Sequence, residues 1–347
     1  MEVNLLSILI TGGAGYIGSH TCIELLNAGH EVIVIDNFLN SKPEALERVQ
    51  QVTRKPIKIY QMNIMEQEKL EKIFSDNQIE AVIHFAGLKS VGHSVKNPLY
   101  YYRHNITSTL ILCQVMQKFN VKNLVFSSSA TVYGIPESIP ISEKNQLSAL
   151  NPYGRTKLFI ESILEDLIKS DPSWSIVILR YFNPIGAHET GLIGEDPLGI
   201  PNNLMPNILN VASGERDTLL IYGDHYPTKD GTCIRDYIHI NDLANGHVKA
   251  LEKTLNFSGI ETYNLGTGQG YSVLEIISTF EKVTGIKIPY SVSAPRAGDV
   301  PICYSDPTKA KLELDWCAKL PLEKMCIDSW RWKLNNPNGY KKVQYAN

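Results

Sequence analysis

The start of the chain combines a short apolar run, a glycine-rich loop and a helical pattern. Residues 5–11 are almost entirely apolar, and Gly12, Gly15 and Gly18 precede a helical pattern that continues to Gly29. Glycines at this spacing allow a tight turn and a close backbone approach, and the helix that follows offers free N–H groups to an anion. The pattern predicts the strand, loop and helix that open a doubly wound sheet, with an ordinary glycine turn as the alternative.

Strand and helix patterns alternate as far as residue 184. Short apolar runs predict strands, and longer periodic segments predict the helices between them. Ser41 is placed to cap a helix that has Pro43 in its first turn. We therefore predict an α/β fold with a doubly wound parallel Rossmann sheet. The predicted strands cover residues 5–11, 31–35, 57–62, 81–87, 121–127 and 175–180, and the predicted helices include 66–77, 97–119 and 152–169.

A carboxylate follows the second predicted strand. Asp36 and Asn37 come directly after the apolar run 31–35. An acidic side chain there can accept hydrogen bonds from both ribose hydroxyls of adenosine, and it would repel a 2′-phosphate. The sequence therefore predicts NAD rather than NADP as the cofactor, with an ordinary loop aspartate as the alternative.

Tyr153 and Lys157 lie four residues apart at the start of a predicted helix. Their side chains would leave the same helix face one turn apart, where both could act on one atom. The spacing alone is a weak signal, because chance produces about one such pair in a chain of this composition. The cluster Ser127, Ser128 and Ser129 ends the fifth strand, where ligands bind in this architecture, although a serine-rich surface loop would look the same.

The alternation stops after residue 184. Residues 185–231 are rich in Gly, Pro and Asn, which is typical of loops and short helices around a ligand. Further predicted elements are strands at 236–240 and 261–265, a capped helix beginning near Asn241, and helices at 272–284 and 321–334. The predicted domains are an NAD-binding domain of residues 1–184 with a return segment near 234–262, and a smaller C-terminal α/β substrate domain of residues 185–347.

Charge and cysteine content limit the classes of partner. The net charge is -3 and the pI is about 6.3, so no basic field attracts nucleic acid or an anionic membrane. The six cysteines form no CxxC pair and show no metal-ligand spacing, which is typical of free thiols in a reducing cytoplasm. The first apolar run has no basic leader or cleavage signal. We expect a cytoplasmic protein that binds a small molecule and needs no metal, nucleic acid or membrane.

Several segments together resemble one known family. They are Thr11–Gly18, His84–Lys89, Phe126–Gly134, Tyr153–Lys157, Leu179–Pro184, Pro201–Pro206 and Arg235–His239. The chain closely resembles the extended short-chain dehydrogenase/reductase family, and within it the UDP-galactose (UDP-glucose) 4-epimerases. The glycine loop and the Tyr/Lys pair are common to the superfamily, and the other segments are similar to those of the epimerases. The resemblance extends from Ile8 to about Tyr340.

The resemblance implies NAD-dependent, reversible 4-epimerisation of UDP-hexoses through a transient 4-keto sugar. Tyr153 would be the base that removes the 4-hydroxyl proton, with Ser129 as its hydrogen-bond partner and proton relay. A free tyrosine has a pKa of about 10, so Lys157 and the nicotinamide ring would have to lower it by about three units. The implied NAD contacts are Gly12, Gly15, Tyr16, Ile17, Gly18, Asp36, Asn37, Asn63, Ile64, Phe85, Ala86, Gly87, Lys89, Asn105, Tyr153, Lys157 and Tyr181.

On the sugar side, the resemblance implies a site that holds UDP firmly and leaves the hexose free to turn over. Arg235 and Arg296 are candidates for binding the phosphates, because guanidinium groups bind phosphate through two parallel hydrogen bonds. A surface ion pair is the alternative for each arginine. The other implied contacts to the nucleotide or the sugar are Ser129, Tyr153, Asn183, Asn202, Asn203, Leu204, Tyr222, Asp299 and Cys303.

Two positions depart from the family pattern. Asn63 stands where an aspartate commonly binds the adenine amino group, and its amide oxygen can accept the same hydrogen bond. Cys303 stands where epimerases restricted to unmodified hexoses have a tyrosine, and where those that also accept N-acetylhexosamines have a small residue. The small thiol predicts that UDP-GlcNAc and UDP-GalNAc are also substrates, with a cysteine that only packs as the alternative.

Related activities remain as alternatives. A nucleotide-sugar 4,6-dehydratase typically needs an acid/base pair directly after the fifth strand, where this chain has Ala130 and Thr131. A net reductase would consume NAD(P)H, and a catalytically silent NAD-sensing protein would tend to lack the tyrosine or the lysine. The resemblance also implies a homodimer formed through the helices near 98–118 and 152–169.

Overall fold

The first half of the molecule alternates strands and helices in chain order. The computed structural model describes residues 5–199, 201–296 and 299–340, so the ends of the two predicted domains, 1–4 and 341–347, lie outside it. The elements are β1 (Ser7–Thr11), α1 (Tyr16–Asn27), β2 (Glu31–Asp36), α2 (Pro43–Thr53), β3 (Lys58–Gln61), α3 (Gln67–Asp76), β4 (Ala81–His84), α4 (Val91–Lys96), α5 (Pro98–Lys118), β5 (Asn123–Ser129), α6 (Pro152–Ser170) and β6 (Ser175–Tyr181). A 3-10 turn, Ala130–Tyr133, follows β5.

The second half has shorter strands and longer loops. Its elements are β7 (Asn183–Ile185), α7 (Leu204–Ala212), β8 (Leu219–Tyr222), β9 (Ile234–Arg235), β10 (Tyr237–His239), α8 (Ile240–Thr254), β11 (Gly259–Leu265), β12 (Tyr271–Ser272), α9 (Val273–Thr284), β13 (Tyr290–Ser293), β14 (Ile302–Cys303), α10 (Thr308–Glu313) and α11 (Leu322–Asn335). Helices α7, α9 and α11 share an apolar core that includes Ile208, Phe280 and Met325. This core is separate from those of the first half.

A parallel sheet organises the molecule. It has seven strands in the order β11-β6-β5-β4-β1-β2-β3, and every neighbouring pair is parallel. Ile8, Leu9 and Ile10 of β1 are completely buried, as expected for a central strand covered on both faces. The prediction of a doubly wound parallel α/β fold is confirmed.

The strand order reverses between β1 and β4. From β1 the strands proceed outward through β2 and β3, whereas β4, β5 and β6 proceed outward on the other side. The loops after β1 and β4 therefore separate to opposite sides of the sheet and leave a crevice between them. Doubly wound sheets bind their ligands in such a crevice, at the carboxyl ends of the strands.

The chain returns to the large sheet after the loop-rich region. β11 pairs with β6 along its whole length. Leu243 and Leu251 of α8 pack into the same apolar core as Ile8 of β1. β10 lies outside the large sheet and pairs with β7 in a two-stranded sheet. The return is thus made by α8 and β11.

One predicted helix cap is wrong. α2 begins after Lys42, and the hydroxyl of Ser41 donates a 2.8 Å hydrogen bond to Asp36 Oδ1 instead of capping the helix. The N-cap residue is Lys42, so Ser41 stands one position too early to accept from the first N–H groups of the helix. α8 is capped by His239, whose Nδ1 accepts from the Asn241 N–H at 3.0 Å.

Two further findings on the described residues concern membrane-spanning helices and metal sites. None of their helices combines the length with the apolar character that a membrane span requires. In the same ranges, no three His, Cys, Asp or Glu side chains are grouped so that they could hold a metal ion. All six cysteines are free thiols.

Candidate active site

The glycine loop lies against the carboxyl end of β4. Gly12 has a φ of +72°, and a Cβ there would lie 2.8 Å from the backbone nitrogen of Ala86. A Cβ on Gly18 would lie 2.5 Å from the carbonyl oxygen of Gly12. Gly15 is the N-cap of α1 and has no side chain to occupy the first N–H groups of the helix. The loop therefore admits backbone alone and leaves these donors for an anion.

Asp36 ends β2 beside the glycine loop. Its Oδ2 accepts from the Ala14 N–H at 3.0 Å, and its Oδ1 accepts from the Phe38 N–H at 2.9 Å and the Ser41 hydroxyl at 2.8 Å. The side chain is largely buried, yet it lines the crevice at the switch point. The three hydrogen bonds fix the orientation of the carboxylate, and Oδ2 can accept one more.

One cleft, which we call the cofactor cleft, collects almost all the residues predicted to bind NAD. Its lining includes Gly12, Gly15, Tyr16, Ile17, Gly18, Asp36, Asn37, Asn63, Ile64, Phe85, Ala86, Gly87, Lys89, Tyr153, Lys157 and Tyr181. Sequence reasoning missed several further lining residues. They are Ile35, Leu39, Asn40, Met62, Met65, Leu88, His104 and Ser108, and Ser127 of the predicted serine cluster lines the cleft too. Most of these lie within three positions of a predicted contact, so proximity in the chain was the available signal.

Asn105 is the predicted NAD contact that does not line the cleft. It is 2% exposed, and its Oδ1 accepts from the Leu88 N–H at 2.8 Å. Its Nδ2 donates to the Leu88 carbonyl at 3.1 Å and to the Thr156 hydroxyl at 2.9 Å. Asn105 therefore holds the loop after β4 through the Leu88 backbone and does not face the cleft itself. The chain pattern does not distinguish such an amide from one that faces a ligand.

Asn63 and Lys89 line the cofactor cleft with side chains that already have partners. Asn63 Oδ1 accepts from the Met65 N–H at 3.0 Å and keeps a second lone pair for another donor. Lys89 Nζ lies 3.6 Å from Glu195 Oε1, and 62% of the lysine side chain is exposed. An exposed pair at this distance is weak. Both residues therefore remain able to bind a ligand.

Helix α6 presents Tyr153 and Lys157 to the same cleft. The side chain of Asn151 caps this helix by accepting from the Gly154 N–H at 2.9 Å, which fixes its first turn. The two side chains follow one another at i and i+4 and so share a helix face. The structure therefore places Tyr153 and Lys157, whose spacing alone was a weak signal, together on one wall of the cleft.

The environment of Tyr153 opposes ionisation. Burial raises the pKa of the phenol, a hydrogen bond with Ser129 lowers it, and Tyr101 raises it again. The protein groups around the ring therefore keep it protonated near neutral pH. Positive charge beside the ring would be needed to favour the phenolate.

Lys157 is held at the end of β5. Its Nζ donates to the Ser127 carbonyl at 2.5 Å and lies 4.8 Å from the centre of the Phe126 ring. Burial lowers the pKa of Lys157 to about 8, and the negative charge of Glu161 acts in the opposite direction. The Tyr181 hydroxyl donates to the Ser127 hydroxyl. Two cleft side chains therefore converge on Ser127, a member of the serine cluster predicted at the end of the fifth strand.

Ser129 is the last residue of β5. Its Oγ accepts from the Thr131 N–H at 3.2 Å and from the Thr131 hydroxyl at 3.0 Å. A hydroxyl that accepts twice keeps its own proton to donate, and Tyr153 is within hydrogen-bond reach. The 3-10 turn thus orients Ser129 toward the helix that carries Tyr153.

Three residues predicted on the sugar side come together at β9 and β14. Arg235 and Cys303 are paired in parallel register, and Arg235 Nη2 lies 3.9 Å from Asp299 Oδ1. The Arg235 side chain is 17% exposed. Cys303 packs against the cluster that contains Tyr133 and Phe182, next to the turn that orients Ser129. This group therefore lies beside the end of β5.

A second group lies around α7 and β8. The guanidinium of Arg296 stacks 3.8 Å from the centre of the Tyr222 ring, and its Nη1 donates to the Asn202 carbonyl at 3.4 Å. Asn202 Nδ2 donates to the Ser90 hydroxyl at 3.3 Å, and Asn203 Nδ2 donates to Glu195 Oε1 at 3.2 Å. Leu204 follows as the first residue of α7. Arg296 is thus a stacked arginine rather than one side of a surface ion pair.

Asn183 begins β7, two residues after Tyr181. Its side chain is exposed, and its backbone N–H donates to the Asp236 carbonyl at 3.0 Å. In the part of the chain that the structure describes, Tyr153 is the one predicted sugar contact that also lines the cofactor cleft. The structure therefore does not unite the other predicted sugar contacts with the cofactor cleft in one cavity.

Comparison with known proteins supports the resemblance seen in the sequence. Residues 8–266 match the NAD dependent epimerase/dehydratase family. A UDP-glucose 4-epimerase of Bacillus subtilis (strain 168) is 58% identical over 339 residues, which cover 98% of this chain and 100% of that protein.

Solved structures lead to the same family. The crystal structure of UDP-glucose 4-epimerase from Bifidobacterium longum in complex with NAD+ and UDP has a TM-score of 0.93 and 53% identity, covering 96% of this chain and 99% of that one. The UDP-Glc/GlcNAc 4-epimerase from Campylobacter jejuni has a TM-score of 0.83 and 35% identity, covering 95% and 99% of the two chains. Because the family match spans more than half of the sequence and the relatives align over nearly all of it, the chain belongs to the NAD dependent epimerase/dehydratase family.

Proposed function

We propose that this protein catalyses the NAD-dependent, reversible 4-epimerisation of UDP-glucose and UDP-galactose. The observation that carries the proposal is the position of Tyr153, which lines the cofactor cleft together with Lys157 and whose pKa, raised by burial, is lowered by Ser129 at the end of β5. A phenol between a dinucleotide cleft and a hydroxyl can exchange a proton with a sugar hydroxyl while a hydride crosses to the cofactor. The relatives named UDP-glucose 4-epimerase support the same reaction.

The cofactor cleft has the features that NAD needs. The tight packing at Gly12 and Gly18 leaves backbone N–H groups for the pyrophosphate, and Asp36 offers an acceptor to the adenosine ribose. Lys89 can approach the phosphates, and Lys157 can approach the nicotinamide ribose. When bound, NAD accepts a hydride from C4 of the sugar and returns it to the 4-keto sugar.

Tyr153 and Ser129 then manage the proton of the 4-hydroxyl. Ser129 can receive that proton and pass its own to Tyr153 when the Thr131 hydroxyl releases Ser129 Oγ, which frees one lone pair for the sugar hydroxyl. Burial raises the pKa of Tyr153, so its ionised form depends on the charge of Lys157 and on that of the oxidised nicotinamide. The same residues protonate the oxygen again after the sugar has turned over.

The UDP group is the part of the substrate that the chain can hold. Arg235 has a fixed position in β9, and Arg296 is stacked on Tyr222 at 3.8 Å. Each presents a guanidinium suited to phosphate oxygens. Anchoring the diphosphate in this way leaves the hexose free to present either face to the cofactor.

A product assay without added cofactor tests the proposed function. The purified protein is incubated with UDP-galactose, and the nucleotide sugars are separated by chromatography. UDP-glucose should accumulate to an equilibrium mixture with no net appearance of NADH. Bulk consumption of NAD(P)H or release of a dehydrated sugar would overturn the proposal.

We also propose that Cys303 allows N-acetylhexosamines into the site. It lies in register with Arg235, and its small side chain packs beside Tyr133 and Phe182. The related structure of a UDP-Glc/GlcNAc 4-epimerase from Campylobacter jejuni supports the existence of this dual specificity in the fold.

Substitution of Cys303 by tyrosine tests this specificity. Cys303→Tyr should reduce turnover of UDP-GalNAc at least about tenfold relative to UDP-galactose, because a phenol ring would fill the space beside the sugar 2-position. Cys326→Ala, at a buried cysteine in the α11 core, is the matched control and should leave the ratio unchanged. Wild-type protein that epimerises UDP-galactose and leaves UDP-GalNAc untouched would contradict the proposal.

The related activities fit the chain less well. Ala130 and Thr131 occupy the 3-10 turn after β5, where a 4,6-dehydratase would need an acid and a base. Thr131 instead donates to Ser129 Oγ at 3.0 Å. Both Tyr153 and Lys157 are present in the cleft, so a silent NAD sensor would have no reason to keep them.

We propose a cytoplasmic homodimer that pairs through α5 and α6. Leu99, Tyr100, Leu110 and Phe159 are exposed apolar residues on these helices, and Tyr102 stacks on Phe159 with ring centres 6.0 Å apart. Exposed apolar patches of this kind are typical of subunit contacts. The six free thiols support a reducing compartment. A monomeric mass in solution would reject the dimer.

A further inference from the structure

Glu161 and Arg180 form a buried ion pair behind the candidate active site. Arg180 Nε donates to Glu161 Oε1 at 3.1 Å, and Nη2 donates to Oε2 at 2.6 Å. The side chains are 6% exposed for Arg180 and 2% exposed for Glu161. Removing two charges from water costs free energy that a buried pair often fails to recover. The pair is therefore weak evidence for a stabilising role.

The pair continues the helix face that carries the candidate catalytic residues. Tyr153, Lys157 and Glu161 are spaced at i, i+4 and i+8 on α6 and so lie one above the other. Two consecutive residues of β5 contact Lys157 and Glu161. The Ser127 carbonyl accepts from Lys157 at 2.5 Å, and the Ser128 hydroxyl donates to Glu161. Lys157 thus lies between the cleft tyrosine and a buried carboxylate.

The groups that face Lys157 come from three elements. Glu161 faces it from α6, where Tyr153 lies one turn before the lysine, and the other groups are His84 from β4 and Tyr181 from β6 through Ser127. Burial lowers the pKa of His84 to about 3, and burial raises the pKa of Tyr181, so both are neutral at pH 7. Of the groups named here, Glu161 is the one that brings a negative charge to Lys157.

Arg180 keeps that charge in place. A buried carboxylate needs a cationic partner and hydrogen-bond donors to offset its loss of hydration, and Arg180 provides both. Arg180 donates to both oxygens of Glu161, and its Nη1 donates to the Tyr133 hydroxyl at 3.1 Å. Tyr133 in turn donates to Asn264 Oδ1 at 2.7 Å, which anchors the guanidinium to β11.

We propose that Glu161 and Arg180 are positioning residues that keep Lys157 charged, Arg180 by holding the Glu161 carboxylate in place and Glu161 by its negative charge one helical turn from the lysine. The consequence for catalysis rests on the proposed function, because a charged Lys157 favours the phenolate of Tyr153. Glu161 raises the pKa of Lys157 against the lowering by burial, and the result is about 8. Lys157 is charged below that pH, and without Glu161 it loses its charge at a lower pH.

Direct titration of Lys157 tests the proposal without turnover. Protein labelled with 13C at lysine Cε is followed by NMR, with Lys157→Met to assign the signal and with the same cofactor state in every sample. Glu161→Gln should lower the pKa of Lys157 by about one unit or more.

A double variant guards against loss of folding. Glu161→Gln leaves Arg180 buried and unpaired, whereas Glu161→Gln with Arg180→Met removes both charges at once. The double variant should also show a lowered pKa, with a smaller shift than Glu161→Gln alone, because it removes the positive charge that the single variant leaves unpaired. Glu165→Gln removes an exposed carboxylate one turn further along α6 and should leave the titration unchanged.

The outcomes separate this inference from the proposed function. An epimerase assay on the same variants should show the alkaline limb of the kcat profile moving to lower pH by the same amount. A Lys157 titration at the same pH in the wild type and in both variants lacking Glu161 would overturn the inference, whatever the activity. A shifted titration in a protein that does not epimerise UDP-galactose would instead leave the inference standing and overturn the function.

Discussion

The cofactor cleft and the sugar side of the candidate active site are built by different means. The cleft is bordered by segments that follow successive strands of one parallel sheet, and its polar residues stand at strand ends, as Asp36 and Ser127 do. The sugar side uses two-residue strands and loops, with Arg235 in β9 and Cys303 in β14. Arg296 lies outside regular structure and is held by its stacking on Tyr222.

This difference matches the two tasks of a 4-epimerase. Strand ends are fixed relative to one another by the backbone hydrogen bonds of the sheet, so the cleft can hold the cofactor in one orientation. Loops secured by single side-chain contacts can adjust to either orientation of a hexose. Changes in the cleft should therefore alter the chemical step or the binding of NAD, whereas changes on the sugar side should alter the affinity for UDP-sugar.

The largest effect is expected at Tyr153. Tyr153→Phe removes the hydroxyl that exchanges the proton and should lower kcat by about 10²- to 10⁴-fold, with little change in the affinity for UDP. Steady-state kinetics on UDP-galactose measure the rate, and calorimetry with UDP measures the affinity. Tyr290→Phe, at an exposed position on β13, is the matched control and should leave both unchanged. Near-wild-type turnover by Tyr153→Phe would assign the base to another group.

The next effect tests the fixed backbone of the cleft. A Cβ on Gly18 would lie 2.5 Å from the Gly12 carbonyl oxygen, so Gly18→Ala must displace the loop. The affinity for NAD should fall by about tenfold or more, since the loop donors would no longer converge on the pyrophosphate. Gly92→Ala is the control, because a Cβ there meets nothing within 4 Å. Equal affinity for NAD in the two variants would show that the glycine loop adjusts its backbone as readily as the loops of the sugar side, and would contradict the comparison.

The smallest effects are expected among the sugar-side arginines. Arg235 is 17% exposed and set in β9, so Arg235→Met should raise the KM for UDP-galactose by about 10- to 100-fold with kcat nearly unchanged. Arg296 is exposed, and Arg296→Met should raise KM only a fewfold. Initial-rate measurements over a range of substrate concentrations separate KM from kcat. A large loss of kcat in either variant would contradict the division of tasks between the two regions.

The large sheet and the cofactor cleft were predictable because local patterns specify them. The apolar run 31–35 became Glu31–Asp36, and the segment 175–180 became Ser175–Tyr181. Once the strands are known, the topology of a doubly wound sheet brings their carboxyl ends to one edge. Gly12 and Asp36 lie at the ends of neighbouring strands and therefore line a common cleft, although they are far apart in the chain. Tyr153 reaches the same cleft from the start of α6.

The remaining features depend on contacts between distant segments, which local patterns do not encode. Asn105 turns away from the cleft because the Leu88 backbone and the Thr156 hydroxyl use its amide. Ser41 binds Asp36 rather than capping α2. The burial of Arg180 against Glu161 had no signal in the sequence, since an arginine at the end of a strand is commonly exposed.

Isotope retention at C4 tests the central claim most directly. UDP-galactose with deuterium at C4 is converted by the purified protein in ordinary water, and the UDP-glucose formed is analysed by NMR and mass spectrometry. If the hydrogen leaves C4 as a hydride and returns from the same cofactor molecule, the product keeps its deuterium at C4. Loss of deuterium to water would show that C4 exchanges a proton with the solvent and would contradict the account.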